Sequence, residues 1–386
     1  MRFGTFARQL ALALVLAAPV AAQEAPATDT VRFAQIAALS GPASALGTGM
    51  RDGIAAAFAE ANAAGGVNGL TLVLESLDDA YEPDQSVAQL EAVLAGGGHL
   101  ALIGPVGTPT SQAMVPMAAE VGLPVIGPFT GAGFLRDPAL NNVFNLRASY
   151  AAETEAWMAH LVDELGMTNI AILYQDDGFG RAGLDGVTAA LERRGMAVVA
   201  EGTYVRNTTA VRGALLDIRA AEPEAVVMVG AYGPVAEFVR LSRQLEFAPT
   251  FVNISFVGSG ALAAELGPDG AGVIVSQVVP LPWDTSVPVV VEYQAALAAH
   301  VPGAVPDFVS LEGYLVGRLA IAALQAAGES PTRESYLAAL QGLSMVEIGG
   351  LGLQFGPGDN QGSDAVFLTR ITADGGFEVV ALPGNS

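Results

Sequence analysis

The chain has 386 residues, 52% of them hydrophobic and 15% charged, and a formal net charge of −22 at pH 7. That acidity opposes nucleic acid and anionic membrane surfaces as partners. All 17 basic residues are Arg, and cysteine is absent. This excludes disulfides, thiolate metal sites, thiol nucleophiles, Schiff bases and the lysine of a phosphate-binding loop.

The first element is a leader. Arg2 and Arg8 precede an apolar run, Leu10 to Val20, and Val20-Ala21-Ala22 offers small residues for cleavage. Residues 1–22 therefore read as a secretory signal peptide, too short in its apolar part to span about 20 residues of bilayer. Its removal takes away two positive charges and no negative ones, leaving −24 where the whole chain carries −22. No later stretch reaches spanning length without a charge, Gly or Pro. With no cysteine for lipid attachment, the mature protein is expected to be free in the exported compartment, without direct membrane insertion. It exceeds one typical domain of about 150 residues, so two lobes are expected.

Strands and helices then alternate. Strand 31–39 leads into Leu39-Ser40-Gly41-Pro42, helix 50–64, the stop Gly65-Gly66-Val67-Asn68-Gly69 and strand 70–79. Helix 84–95, strand 100–104, helix 110–121 and short strands 123–127 and 143–146 follow. A second series runs through helix 152–165, strand 169–174, helix 181–194, strand 197–204, helix 209–221, strand 225–230, helix 235–245 and strands 250–254 and 273–279. Pro280-Leu281-Pro282-Trp283 reads as a crossing, followed by helices 289–300 and 311–327 and a terminal β segment over 355–380. Short apolar strands between amphipathic helices make parallel sheets covered on both faces. The fold class is α/β, with two doubly wound lobes.

Ligands of such sheets bind outside the carboxyl ends of the strands. The loops there are therefore the site candidates. Gly104-Pro105-Val106-Gly107-Thr108-Pro109-Thr110-Ser111 joins a buried strand to a helix. Thr108 is placed as N-cap and Pro109 at the first helical position, where its missing N–H costs nothing. Free N–H groups at a helix start favour an anion, and the hydroxyls of Thr108, Thr110 and Ser111 add donors, so a carboxylate is the expected guest. Gly127-Pro128-Phe129-Thr130-Gly131-Ala132 opens on the same edge. In the second lobe the corresponding loops carry Phe179, Tyr232 and Asn253-Ile254-Ser255-Phe256.

Other clusters favour structural roles. Asp177 suits a helix cap, and Asp78-Asp79 a strand-end turn. No His–carboxylate set matches a metal site, and none of His99, His160 and His300 sits in a strand-end loop. A Gly-x-Ser-x-Gly elbow and a His-Glu-x-x-His motif are both missing. No cofactor, metal or catalytic residue is expected, and an exported hydrolase is the weakest reading.

In order and spacing, these motifs resemble the periplasmic branched-chain amino acid binding proteins, the type I solute-binding proteins of ABC importers. The markers are Leu39-Ser40-Gly41-Pro42, Ala64-Gly65-Gly66-Val67-Asn68-Gly69, Asp78-Asp79-Ala80, the Gly104-Pro105 loop and Tyr174-Gln175-Asp176-Asp177-Gly178-Phe179-Gly180. The resemblance implies a type I periplasmic binding protein fold, with two lobes joined by three crossings. Lobe 1 is placed at 31–148 plus 282–358, lobe 2 at 149–281 plus 359–386. It also implies a ligand gripped by Thr108, Thr110, Ser111, Phe129 and Thr130 and covered by Phe179 and Tyr232, with Tyr150 at the first crossing facing the cleft. Arg147, beside it, reads as an interlobe structural group or an anion site.

Amino acid binders carry an acid after the strand ending at 253–255, where this chain has Ser255. They also often place an aromatic where it has Leu46, and some carry a cysteine pair at positions near Tyr81 and Gly107. The resemblance thus implies a monomeric periplasmic protein. It would close on a small carboxylate-bearing ligand, an amino acid or another organic or aromatic acid, and hand it to an inner-membrane ABC permease. A sensory binding protein is the alternative.

Overall fold

The computed structural model describes residue 1 and residues 29–380. The expected leader lies outside the described residues apart from Met1.

The alternation read from the sequence is present. The first series is β1 (Thr30–Ala37), α1 (Ser44–Ala63), β2 (Thr71–Asp78), α2 (Pro83–Gly96), β3 (His99–Ile103), α3 (Thr108–Glu120), β4 (Val125–Ile126) and β5 (Val143–Phe144). The second is α4 (Tyr150–Met158), β6 (Ile170–Gln175), α5 (Gly178–Glu192), β7 (Glu201–Tyr204), α6 (Arg212–Ala220), β8 (Ala225–Val229), α7 (Tyr232–Gln244), β9 (Thr250–Asn253), α8 (Ser259–Leu266) and β10 (Ile274–Gln277). Then come α9 (Pro288–His300), α10 (Phe308–Ala327), α11 (Arg333–Gln341) and four strands, β11 (Met345–Ile348), β12 (Leu351–Gln354), β13 (Phe367–Ile371) and β14 (Phe377–Val380).

Both large sheets use one topology. The first runs β2-β1-β3-β4-β5, and the second repeats this as β7-β6-β8-β9-β10 before adding β13 and β14. The repeated strands pair in parallel, and β13 and β14 pair antiparallel. In each sheet the strand order reverses at the first strand, so the crevice at each carboxyl edge opens between the first and third strands. Those crevices are flanked by the loops after β1 and β3 and after β6 and β8.

Four elements escape the sequence reading. α8 is a short Ala- and Gly-rich helix, and α11 is nine residues long, started by a capping box between Thr332 and Ser335. β11 and β12 form a separate hairpin across Gly349-Gly350. The helix expected over 152–165 begins two residues earlier and ends in a π turn, Ala159–Glu164.

α1 and α10 pack backbone to backbone. A Cβ on Gly53 would stand 1.9 Å from the Ser310 carbonyl oxygen, and one on Gly313 would stand 2.4 Å from the Met50 carbonyl oxygen. α10 is long and apolar enough to cross a membrane by length and composition, and 83% of its most apolar window is buried in the protein. Its apolarity is that of a core helix. Gly53→Ala is therefore expected to force the two helices apart and to cost at least about 2 kcal/mol. Urea denaturation would show this as a lowered midpoint, and an unchanged midpoint would contradict the close packing.

Candidate functional site

α3 and α5 bring their amino ends together from opposite lobes, with Gln112 packed against Gly178. Each end carries partial positive charge from unpaired N–H groups. α3 starts one residue earlier than the sequence suggests. Its N-cap is Gly107, at φ 105°, and Thr108 is already helical. Gly107 is required there because the Tyr81 ring lies against it, 2.3 Å from where a Cβ would stand.

Freed from capping, the Thr108 hydroxyl lies 2.6 Å from that of Thr130, and Thr130 lies 3.2 Å from the Tyr150 hydroxyl. The Ala132 N–H donates to Thr130 Oγ1 at 3.2 Å. Burial pushes the Tyr150 hydroxyl up to about 12, so it stays protonated as a donor. Ser111 Oγ is buried and has no partner among the described residues. Thr110 behaves differently, its hydroxyl donating to the Val106 and Gly107 carbonyls at 2.5 and 3.0 Å. The structure thus brings Thr108, Thr130, Tyr150 and Ser111 to this end of α3 and turns Thr110 back onto the backbone.

Aromatic rings close over these groups. Phe179, in the first turn of α5, lies 5.7 Å from Tyr150 and 4.5 Å from Phe256. Phe256 also lies 5.4 Å from Phe129 and 5.9 Å from Tyr81. Tyr232, at the start of α7, crosses the cleft, where its hydroxyl accepts from the Ala45 N–H at 3.4 Å.

Ser255 meets an acid from an unexpected element. Its N–H and hydroxyl donate to Glu153 on α4, both at 2.9 Å, and Ser276 donates to the same carboxylate. Burial raises the Glu153 pKa, against the pull of Arg147 and the two serines. Nearby, both polar side-chain atoms of Asn253 are buried without a partner among the described residues. Leu46 packs against Gly258.

Arg147, beside Tyr150, forms a buried bidentate pair with Glu312 of α10 at 2.8 and 2.9 Å. Burial opposes its charge, but Glu312 outweighs burial and holds the guanidinium above its ordinary range. Its third nitrogen, Nη1, is buried without a partner among the described residues, and the group lies 4.4 Å from the Phe129 ring centre. Arg136 stands close by on carbonyls of Thr130, Ala132 and Arg147. Burial, then the charge of Arg147, pushes it down to about 10.

A polar clasp joins the lobes at the rim. Arg206 bridges Asp177 at 3.0 Å and Glu82 at 2.7 Å, while Asn207 donates to Glu82 at 2.7 Å and to the Ala80 carbonyl at 3.1 Å. Asp177 also caps α5, accepting from the Phe179 N–H at 2.9 Å. The clasped turn is strained: Ala80 and Tyr81 sit at φ 50° and 62°, a region disfavoured for L-residues. Asp78 and Asp79 hold it by accepting from the Ala80 and Tyr81 N–H groups. This is the turn role expected of the Asp pair.

A chain of this topology, with strand-end loops of two lobes meeting in one cleft, matches the family described as "Periplasmic binding protein" over residues 30–376. The chain belongs to the periplasmic binding protein family. It is 38% identical, with a TM-score of 0.88, to the crystal structure of a possible leucine/isoleucine/valine-binding protein from Rhodopirellula baltica, covering 92% of this chain and 98% of that one. It is 27% identical over 213 residues to Leu/Ile/Val-binding protein homolog 3 of Brucella melitensis, spanning 55% of this chain and 57% of that protein. It is also 28% identical over 215 residues to the chemotactic signal transduction system substrate-binding protein BasB of Halobacterium salinarum, spanning 54% of this chain and 51% of that protein. The chain thus aligns with little more than half the length of these two relatives.

As a periplasmic binding protein, the chain belongs to a family of solute binders and not of enzymes. Tyr81, Glu153, Arg206, Phe256 and Glu312 are cleft residues that the sequence reading left without a role. Phe256 was named only as part of a loop, and its place after Ser255 at a strand end was the available signal. Glu153 and Glu312 meet partners more than a hundred positions away, and nothing local marks them.

Two outcomes follow for this region. Glu312→Gln leaves the Arg147 charge uncompensated in the interior, with an expected loss of about 3–5 kcal/mol in chemical denaturation. A loss below about 1 kcal/mol would contradict the buried pair. Burial raises the Asp79 carboxyl from 3.8 to about 6, against hydrogen bonds from Ser86 and Tyr81. Between those two values only the folded chain keeps the proton, so stability from this group falls as pH rises from 3.8 to about 6. Asp79→Asn lacks that titration, so its stability relative to the parent chain should rise across this window. A pH-independent difference would refute the assignment.

Proposed function

We propose that the protein is the solute-binding component of an importer, closing its lobes on a small carboxylate-bearing ligand. The observation that carries this reading is the hydroxyl cluster of Thr108, Thr130 and Tyr150 at the amino end of α3, facing the amino end of α5 across the cleft. Two helix ends and three hydroxyls, with Ser111 Oγ unpartnered beside them, form a donor-rich, solvent-excluded setting suited to a carboxylate. Phe129, Phe179 and Tyr232 cover the remainder of the ligand. Thr110 contributes by fixing the turn, and Ser255 by presenting Glu153 to the same cleft.

In this reading the lobes are residues 31–148 with 282–358 and residues 149–281 with 359–386, so that β1 to β5 fall in the first and β6 to β10, β13 and β14 in the second. Closure is a hinge motion about the three crossings, and contacts from both lobes stabilise the closed form. Arg206, Asn207 and Glu82 clasp only when the lobes meet. The protein works as a periplasmic monomer after removal of its leader, and the closed form is what an inner-membrane ABC permease accepts. The likeness to BasB supports a second reading, in which the closed form docks on a signalling receptor.

Thr108→Ala and Tyr232→Ala are each expected to weaken ligand binding by about 1–3 kcal/mol through a lost hydrogen bond and lost cover. A thermal-shift panel of amino acids and organic acids supplies the ligand, since one that binds only the native state raises the melting temperature. Calorimetry then measures both variants. Unchanged affinity in both would remove the site from this end of α3.

A further inference from the structure

We infer that the ring of Phe256 occupies the place of an aromatic ring of the ligand, so that the ligand class is a small aromatic carboxylate that displaces it. This rests on the carboxylate reading above and sharpens its substrate class. Phe256 belongs to the lobe-2 turn Ser255–Val257, between β9 and α8, yet its ring lies against Tyr81 and Phe129 of lobe 1 as well as Phe179 of its own lobe. The three contacts are tilted, with centroid distances of 5.9, 5.4 and 4.5 Å that lie within the range of aromatic pairs. The compartment is therefore walled by π faces from both lobes, where an aliphatic side chain would need only apolar volume.

Phe256 is 0% exposed, as are Thr108, Ser111, Thr130 and Phe179 around it. The ring is enclosed by Tyr81, Phe129 and Phe179. A ligand gripped at Thr108 and Thr130 whose ring packs on Phe129 competes with Phe256 for that ring. Gly258 follows the turn at φ 78°, a backbone conformation that favours glycine.

The polar groups left over around this compartment point to an anionic head. Arg147 has its guanidinium 4.4 Å from the Phe129 ring centre, and its Nη1 is buried without a partner among the described residues. Ser111 Oγ and the Asn253 side chain are likewise buried and unpartnered among the described residues. A ring with a short carboxylate arm supplies both what displaces Phe256 and what satisfies these donors.

The test is titration calorimetry of the full chain with 3-phenylpropanoate, 3-cyclohexylpropanoate and L-leucine, in the parent and in Phe256→Ala. The expected result is at least tenfold tighter binding of the phenyl acid than of its cyclohexyl counterpart. Phe256→Ala should raise affinity for the phenyl acid at least fivefold, because no ring has to leave. Phe256→Leu, which keeps most of the apolar volume, should move the same way by a smaller factor and guards against a variant that fails to fold. Equal or tighter binding of the cyclohexyl acid overturns the inference. So does a fall in affinity in Phe256→Ala, which would make the ring a wall of the site and not its occupant. Leucine binding that Thr108→Ala weakens, with no binding of the phenyl acid, overturns this inference alone and leaves the carboxylate reading standing. Binding of none of the three, together with no carboxylate hit in the thermal-shift panel, overturns both.

Discussion

Two parallel sheets turn their carboxyl ends toward one another, and the polar groups at that meeting need partners from within their own lobe or across the cleft. The rest of the cleft follows from that constraint. The amino ends of α3 and α5 face each other and leave donors to be used. Arg206 answers it at the rim by joining Asp177 of one lobe to Glu82 of the other. Glu153 answers it at the base by receiving Ser255 and Ser276. Arg147 answers it at the first crossing by pairing with Glu312.

These arrangements divide the work. The Arg147–Glu312 pair is almost wholly buried and ties the first crossing to α10, so it is suited to fix the hinge and not to open with it. The Arg206 clasp is partly exposed and joins strained loops, so each contact in it is weak alone. A clamp that must open and close needs that asymmetry: a rigid base and a rim whose contacts cost little to break. The aromatic group of Tyr81, Phe129, Phe179 and Phe256 lies between the two and gives closure its apolar content.

Much of this was legible before any coordinates. The period-two and period-3.6 segments give β1 to β10 in order, and the small, hydroxyl-bearing residues at strand ends mark the loops that meet. Thr108 could be proposed from the start of a helix and Thr130 from a strand-end loop, whereas Tyr150 came from the crossing that the family resemblance implies. Thr110 could not be separated from Thr108 by sequence, since only the exact start of α3 decides which hydroxyl turns back onto the backbone. Glu153 reads as one more polar residue on a helix, and Glu312 as a lone charge in an apolar one. Their partners are fixed by packing between segments distant in the chain, which no local pattern encodes.

The central claim is that these loops form the faces of a clamp that closes on its ligand. The absence of cysteine allows a direct measurement. Cysteines placed at the exposed positions Glu120 and Glu192, one on each lobe, take spin labels whose separation double electron–electron resonance reads. The account predicts a broad distance distribution for the free protein that collapses to its short end at saturating concentrations of an acid found by thermal shift. A distribution that the bound acid leaves unchanged would contradict it.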